Sequence, residues 1–126
     1  MKLCNEAKEK EGMKRTAETL FIAIGIAMAI AFLVAASLPA AGKIVTKSWH
    51  YAAHFAAFAA FAVVWILGLP RVPVVAVTAG VVVFGCLHEW YEVLGHAHGF
   101  EFRDAMADAI GAACGALATL LWRRHS

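Results

Sequence analysis

The feature that most constrains this chain is an apolar run from Thr19 to Leu38, about twenty residues without a charged side chain. At a rise of about 1.5 Å per residue, a helix of this length crosses a hydrocarbon core of about 30 Å. Lys14 and Arg15 precede the run and small residues follow it, which would also fit a signal peptide. Because the run is too long and its cleavage pattern is poor, we expect a retained membrane span.

Three further apolar runs follow, at about 48–67, 73–94 and 104–122. The second of these opens with a β-branched stretch, VVAVTAGVVVFG, but in lipid a segment must satisfy its own backbone groups, which favours a helix. Composition agrees, because 62% of residues are apolar and the mean hydropathy is +0.70, far above a soluble domain. We predict an all-α, polytopic membrane protein with a polar segment at 1–18 and a domain of four transmembrane helices at 19–126.

The distribution of positive charge predicts the orientation. An even number of spans puts both termini on one side, and that side carries eight Lys or Arg residues against three on the other. By the positive-inside rule, both termini and the segment 1–18 are cytoplasmic. The net charge of +2 is too small and scattered for a nucleic-acid surface, so we expect membrane lipids and no nucleic acid among the partners.

Familiar catalytic motifs are missing from the sequence. It contains no P-loop, no G-x-S-x-G and no C-x-x-C pair, and its three cysteines are far apart. Cys86 and Cys114 lie inside apolar runs, where a free cysteine usually behaves as a small apolar residue. Phosphate-binding, serine and cysteine chemistry therefore find no support.

The predicted topology gathers the ionisable residues at one face. The start of the second span, the end of the third and the start of the fourth all lie on the non-cytoplasmic side, and every histidine except His125 falls there. Residues 4, 7 and 11 positions apart share one face of a helix. Because glycines at i and i+4 let a neighbouring helix approach closely, we expect one stripe of the fourth span to face protein. That stripe comprises Asp104, Asp108, Gly111 and Gly115.

Burial of these charges needs a reason. A charged side chain at mid-membrane costs from about 3 to more than 10 kcal/mol, so such residues are usually paired and turned inward. Glu89, Asp104 and Asp108 are the candidates for burial, whereas His96, His98 and Glu101 are expected to stay solvated. Ordinary interfacial ion pairs that reach the solvent are the alternative. The candidate partners are His50, His54, His88, Lys47 and Arg103.

These residues resemble the VanZ-like family of small bacterial integral membrane proteins over residues 50–117. His54-Phe55 matches the His-Phe near the start of one span of that family, and Glu89 matches the Glu near the end of the next. Asp104, Gly111 and Gly115 match the helix that follows, with the family's separation between the Glu and the Asp. The resemblance implies a bacterial inner-membrane protein and a connection with the cell envelope and glycopeptide antibiotic resistance.

The chain also departs from the pattern of that family. Arg103 could replace an arginine that the family carries at another position. The remaining departures are Tyr51 for Lys, Glu92 for Gln, His96-Ala97-His98 for Pro-Gly-Arg and Asp108 for Asn.

Three functions follow as hypotheses, and whether the protein is an enzyme stays open. The first is an envelope protein without a cofactor, whose polar cluster recognises a lipid headgroup, a peptidoglycan precursor or a glycopeptide. The second is an accessory subunit that packs against a larger membrane-protein partner. The third is a membrane metalloenzyme, since His50-x-x-x-His54 places two imidazoles on one helical face, and His50, His54, His88 and Glu89 are its candidate ligands. The cluster in the first hypothesis comprises His54, Glu89, Asp104, Asp108, Arg103 and Glu92.

Overall fold

Within residues 2–38, 47–96 and 99–125, which the computed structural model describes, the chain forms four α-helices. Each helix is long and apolar enough to cross a membrane. The predicted all-α fold with four candidate spans is therefore confirmed, and the β-branched run after Pro73 is helical. The helices are α1 (Lys2–Ser37), α2 (Lys47–Gly68), α3 (Val74–His96) and α4 (Phe102–His125).

Contacts at the helix ends define an up-and-down bundle. The hydroxyl of Ser37, at the end of α1, lies 3.2 Å from the hydroxyl of Tyr91, near the end of α3. At the opposite end, Arg123 of α4 donates to the carbonyl oxygen of Ile66 in α2 at 3.0 Å and so satisfies a group in the last turn of α2. Both described termini therefore lie at one end of the bundle, and the starts of α2 and α4 lie at the other.

The polar N-terminal segment and the first span form one continuous helix. No break occurs at residue 18, where composition changes from polar to apolar. Residues 5–17 are exposed, and an i, i+4 ion pair of 2.8 Å between Arg15 and Glu11 lies on this surface. Near the base of the segment, Glu18 lies 3.5 Å from Arg71 in the connection between α2 and α3.

Aromatic side chains fill the middle of the bundle. Phe58 and Phe61 of α2 are buried, together with Val81 of α3 and Ala112 of α4. Phe32 of α1 stacks on Phe58 with a centroid separation of 5.2 Å. This layer holds α1 against α2 and separates the polar end of the bundle from the end that carries the termini.

The closest helix contact joins α2 and α4, which make the most extensive interface among the described residues. A Cβ atom at Gly111 would collide with the carbonyl oxygen of Phe55 and lie 3.0 Å from its Cα. A Cβ at Gly115 would meet the carbonyl oxygen of Ala59 in the same way. Because neither glycine has a side chain, the two backbones touch directly, as in other small-xxx-small helix pairs.

This contact predicts opposite effects for the same substitution at two glycines. Gly111→Ala should destabilise the protein by about 1–3 kcal/mol, because the new methyl group overlaps the backbone of α2. Gly80→Ala is the matched control, since a Cβ at Gly80 meets nothing within 4 Å. It should be neutral or stabilising by up to about 1 kcal/mol through helix propensity. Reversible unfolding in mixed detergent micelles measures both, and equal effects would contradict the close packing.

Candidate functional site: a buried histidine and carboxylate cluster

A cluster of ionisable side chains lies at the end of the bundle where α2 and α4 begin. Glu89 of α3 and the α4 residues Asp104 and Asp108 are each only 1% exposed, and His88 of α3 is 5% exposed. His50 and His54 of α2 complete the cluster. It therefore unites three of the four helices around carboxylates that are removed from solvent.

Two hydrogen-bonded pairs connect α2 to α4. His50 Nε2 lies 3.0 Å from Asp104 Oδ2, and His54 Nδ1 lies 2.9 Å from Asp108 Oδ1. Each pair spans the same sequence separation of 54 residues. Because α2 and α4 run in the same direction, residues four apart on one helix meet residues four apart on the other.

Asp104 also gains stabilisation from its place in α4. The carbonyl oxygen of Glu101 accepts hydrogen bonds from the backbone N–H groups of Asp104 and Ala105, at 3.0 and 3.3 Å. Asp104 is therefore in the first turn, where the unpaired N–H groups give the helix a partial positive charge. That charge favours the carboxylate and helps to explain how it remains in a buried position.

Helix α3 adds a second carboxylate and a third imidazole around His54. Glu89 Oε1 lies 3.9 Å from His54 Nδ1 and 3.8 Å from His88 Nδ1, which is close enough for ion pairing but too long for hydrogen bonding. His88 Nε2 lies 3.3 Å from the carbonyl oxygen of Phe32 in α1 and 3.9 Å from Glu92 Oε1. The cluster therefore receives a contribution from each of the four helices.

Several polar atoms of the cluster are buried without a hydrogen-bond partner among the described residues. They are three carboxylate oxygens and one imidazole nitrogen. Native proteins rarely leave such groups unpaired, since each one loses its hydration without compensation. Their concentration in one place indicates a site for a positively charged or hydrogen-donating group. The four atoms are Glu89 Oε1, Asp104 Oδ1, Asp108 Oδ2 and His88 Nδ1.

Two triads have the spacing of metal ligands within the described part of the chain. One contains His50, His54 and Asp104, and the other contains His54, Glu89 and Asp108. In each triad, one ligand atom per residue lies within 4.8 Å of the others. His54 belongs to both triads and therefore lies at the centre of the cluster.

The other residues predicted for the site have more peripheral positions. Glu92 is half-buried beside His88, whereas Arg103 and Glu101 are exposed at the surface next to Asp104. The side chains of Lys47 and His96, and all of His98, lie outside the described residues. Three of the candidate partners, His50, His54 and His88, contact the buried carboxylates.

Two groups that contact the cluster, one backbone carbonyl and one glycine, were not assigned to the site from the sequence. The first is the backbone carbonyl of Phe32, which has no sequence signature because any residue supplies one. The second is Gly85, where a Cβ would lie 3.2 Å from Asp108 Oδ2. Gly85 lies one helical turn before Glu89 on the same face of α3, and this spacing was the signal in the sequence. The close approach of Asp108 to α3 explains why a small residue lies at this position.

Comparison with known proteins adds no identification. No protein-family model, no curated protein and no solved structure matches this chain. The fold and the cluster define it as a four-helix protein with the character of a multi-pass membrane protein. The resemblance to the VanZ-like family stays a prediction from the motif residues.

Removal of the central imidazole should destabilise the protein. In His54→Ala, Asp108 loses its hydrogen-bond partner and Glu89 loses a neighbouring imidazole, which should cost about 3 kcal/mol because a buried carboxylate is left without its hydrogen bond. His125→Ala is the matched control, because His125 is exposed at the end of α4. Unfolding in detergent at neutral pH measures both variants, and a loss below about 0.5 kcal/mol for His54→Ala would contradict a paired cluster.

Proposed function

We propose that this protein is a VanZ-like integral membrane protein of the bacterial cell envelope, and that its cluster binds the polar part of an envelope molecule. The candidate ligands are a lipid headgroup, a peptidoglycan precursor and a glycopeptide antibiotic. The observation that carries the proposal is the burial of Glu89, Asp104 and Asp108 at 1% exposure in an otherwise apolar bundle. Ionisable groups in such positions are costly to maintain and commonly have a function.

The charge of the cluster favours a ligand that donates hydrogen bonds. Carboxylate oxygens only accept, and a neutral imidazole offers one donor and one acceptor. The unpaired atoms of Glu89, Asp104 and Asp108 are all acceptors. An ammonium, amide or hydroxyl group complements them, and such groups occur in aminated headgroups, peptide stems and glycopeptides.

The outer pair gives the ligand its first point of contact. The side chain of His50 is 28% exposed, whereas the side chain of its partner Asp104 is 2% exposed. The deeper pair of His54 and Asp108 is more enclosed, at 14% and 1%. A ligand that arrives at the end of the bundle therefore meets His50 first and reaches the buried carboxylates by displacing or rotating this ring.

Positive charge supports an envelope-facing orientation of the cluster. Arg71, Arg123 and Arg124 lie at the opposite end of the bundle, together with the basic N-terminal segment of α1. Under the positive-inside rule that end is cytoplasmic, so the cluster faces the cell envelope. The residues that carry the resemblance support the same assignment, because His54, Glu89 and Asp104 lie in the cluster and Gly111 lies in the contact beside it.

Substitutions that preserve shape test the ligand-binding role. Asp104→Asn and Glu89→Gln should each weaken the binding of a fluorescent glycopeptide by at least about tenfold, or 1.4 kcal/mol, because each removes a buried charge that faces the ligand. The measurement uses purified protein in nanodiscs, alongside the susceptibility of cells that express equal amounts of each variant.

Glu18→Gln is the control, since it makes the same chemical change at the opposite end of the bundle. It should leave binding and susceptibility unchanged. Unaltered binding by both cluster variants would overturn a role for the cluster in glycopeptide recognition.

A second candidate function, that of an accessory subunit, is favoured by the exposure of α1. Only 11% of its apolar span is buried, against 28% for α2 and α3 and 33% for α4. An additional transmembrane helix from a partner could pack on this surface. Stoichiometric co-purification of a membrane protein from native membranes, abolished by bulky substitutions on α1, would support this function, and a monodisperse protein without a partner would contradict it.

A further inference from the structure

We infer that His54, Glu89 and Asp108 form a binding site for one divalent transition-metal ion. The site lies inside the cluster to which we assign ligand recognition, but it depends neither on that assignment nor on the family resemblance. It unites α2, α3 and α4 at a single ion. Its three ligands supply one imidazole nitrogen and two carboxylate oxygens.

The separations between ligand atoms fit one ion. Zinc binds imidazole nitrogen and carboxylate oxygen at about 2.0–2.2 Å, so two atoms on one ion lie at most about 4.4 Å apart. His54 Nδ1 lies 2.9 Å from Asp108 Oδ1 and 3.9 Å from Glu89 Oε1. Both separations are within that limit.

The tautomer of His88 leaves Glu89 without a hydrogen bond from this ring. The carbonyl oxygen of Phe32 can only accept a hydrogen bond, so the contact of 3.3 Å assigns the ring proton to His88 Nε2. His88 Nδ1 then carries a lone pair, is buried without a partner among the described residues and lies 3.8 Å from Glu89 Oε1. His88 therefore presents an acceptor toward Glu89, which leaves that carboxylate to be neutralised by a cation.

The unpaired atoms indicate a cation with more than one bond to offer. His88 Nδ1, Glu89 Oε1 and Asp108 Oδ2 all accept, and their residues are at least nine-tenths buried. A single proton can satisfy only one pair of such atoms. One divalent ion can neutralise both carboxylates and take the place of the proton that His54 Nδ1 shares with Asp108 Oδ1, which relieves the repulsion among the whole set.

Gly85 provides space at the site. A Cβ atom at this position would lie 3.2 Å from both Cβ and Oδ2 of Asp108. The glycine therefore lets α3 and α4 approach where Asp108 turns toward the cluster. A larger residue would push that carboxylate away from Glu89.

The ligand chemistry selects the class of metal. One imidazole nitrogen and two carboxylate oxygens suit Zn²⁺, Fe²⁺ or Mn²⁺, whereas soft ions prefer thiolate or thioether ligands. Cys86 and Cys114 are exposed on the outer surfaces of α3 and α4 and contribute nothing here. Zinc is the probe of choice because it needs no control of oxidation state.

Metal analysis of the full chain tests this inference. Protein purified without a histidine tag is stripped with chelator, incubated with Zn²⁺ and dialysed, and its zinc is then counted by mass spectrometry. We expect about one ion per chain for the wild type and for Glu18→Gln, and affinities lower by more than about 100-fold for Asp108→Asn and Glu89→Gln. Only trace zinc in the wild type, or unchanged affinity in both variants, would overturn the site.

A second measurement on the wild type keeps the test decisive if the variants fold poorly. Saturating Zn²⁺ should raise the thermal unfolding temperature, and excess chelator should reverse the increase, because an ion that binds only the folded state stabilises it. Absence of a shift would also overturn the site. Since no glycopeptide is present in either measurement, failure of metal binding and failure of the proposed ligand recognition are distinguished.

Discussion

The polar site depends on the direct backbone contact between α2 and α4. Gly111 lies against Phe55 and Gly115 lies against Ala59, so the two parallel helices approach without intervening side chains. Nearer the starts of both helices, this spacing brings the short side chains of Asp104 and Asp108 within hydrogen-bond distance of an imidazole. Larger residues at either glycine would separate the helices and leave the buried aspartates without their partners.

The remaining helices make the cluster a closed environment. The aromatic layer of Phe32, Phe58 and Phe61 lies below the cluster and excludes polar groups from the middle of the bundle. Helix α3 then supplies Glu89 and His88 from the side, and α1 supplies the carbonyl of Phe32. A low-dielectric boundary strengthens the attraction between opposite charges and makes unpaired acceptors more costly, so the same packing both stabilises the cluster and favours a bound cation.

The sequence predicted the faces of the helices better than the pairs between them. Lengths and composition were sufficient for the four helices, and helical spacing put Asp104, Asp108, Gly111 and Gly115 on one inward stripe. The individual pairs depend on the register between α2 and α4, which is set by a three-dimensional contact and by the intervening connections. Within the predicted cluster, His54 pairs with Asp108 and Asp104 pairs with His50. The equal spacing of His50 and His54 and of Asp104 and Asp108 was the available clue.

A double-mutant cycle between His54 and Asp108 tests most directly whether the cluster forms as described. Unfolding free energies are measured for the wild type, His54→Ala, Asp108→Ala and the double variant under identical detergent conditions. Residues in direct buried contact should show a coupling energy of about 1–3 kcal/mol, because loss of one partner removes most of what the other contributes. Additivity within about 0.5 kcal/mol would mean that the two side chains act independently and would contradict the structure of the site.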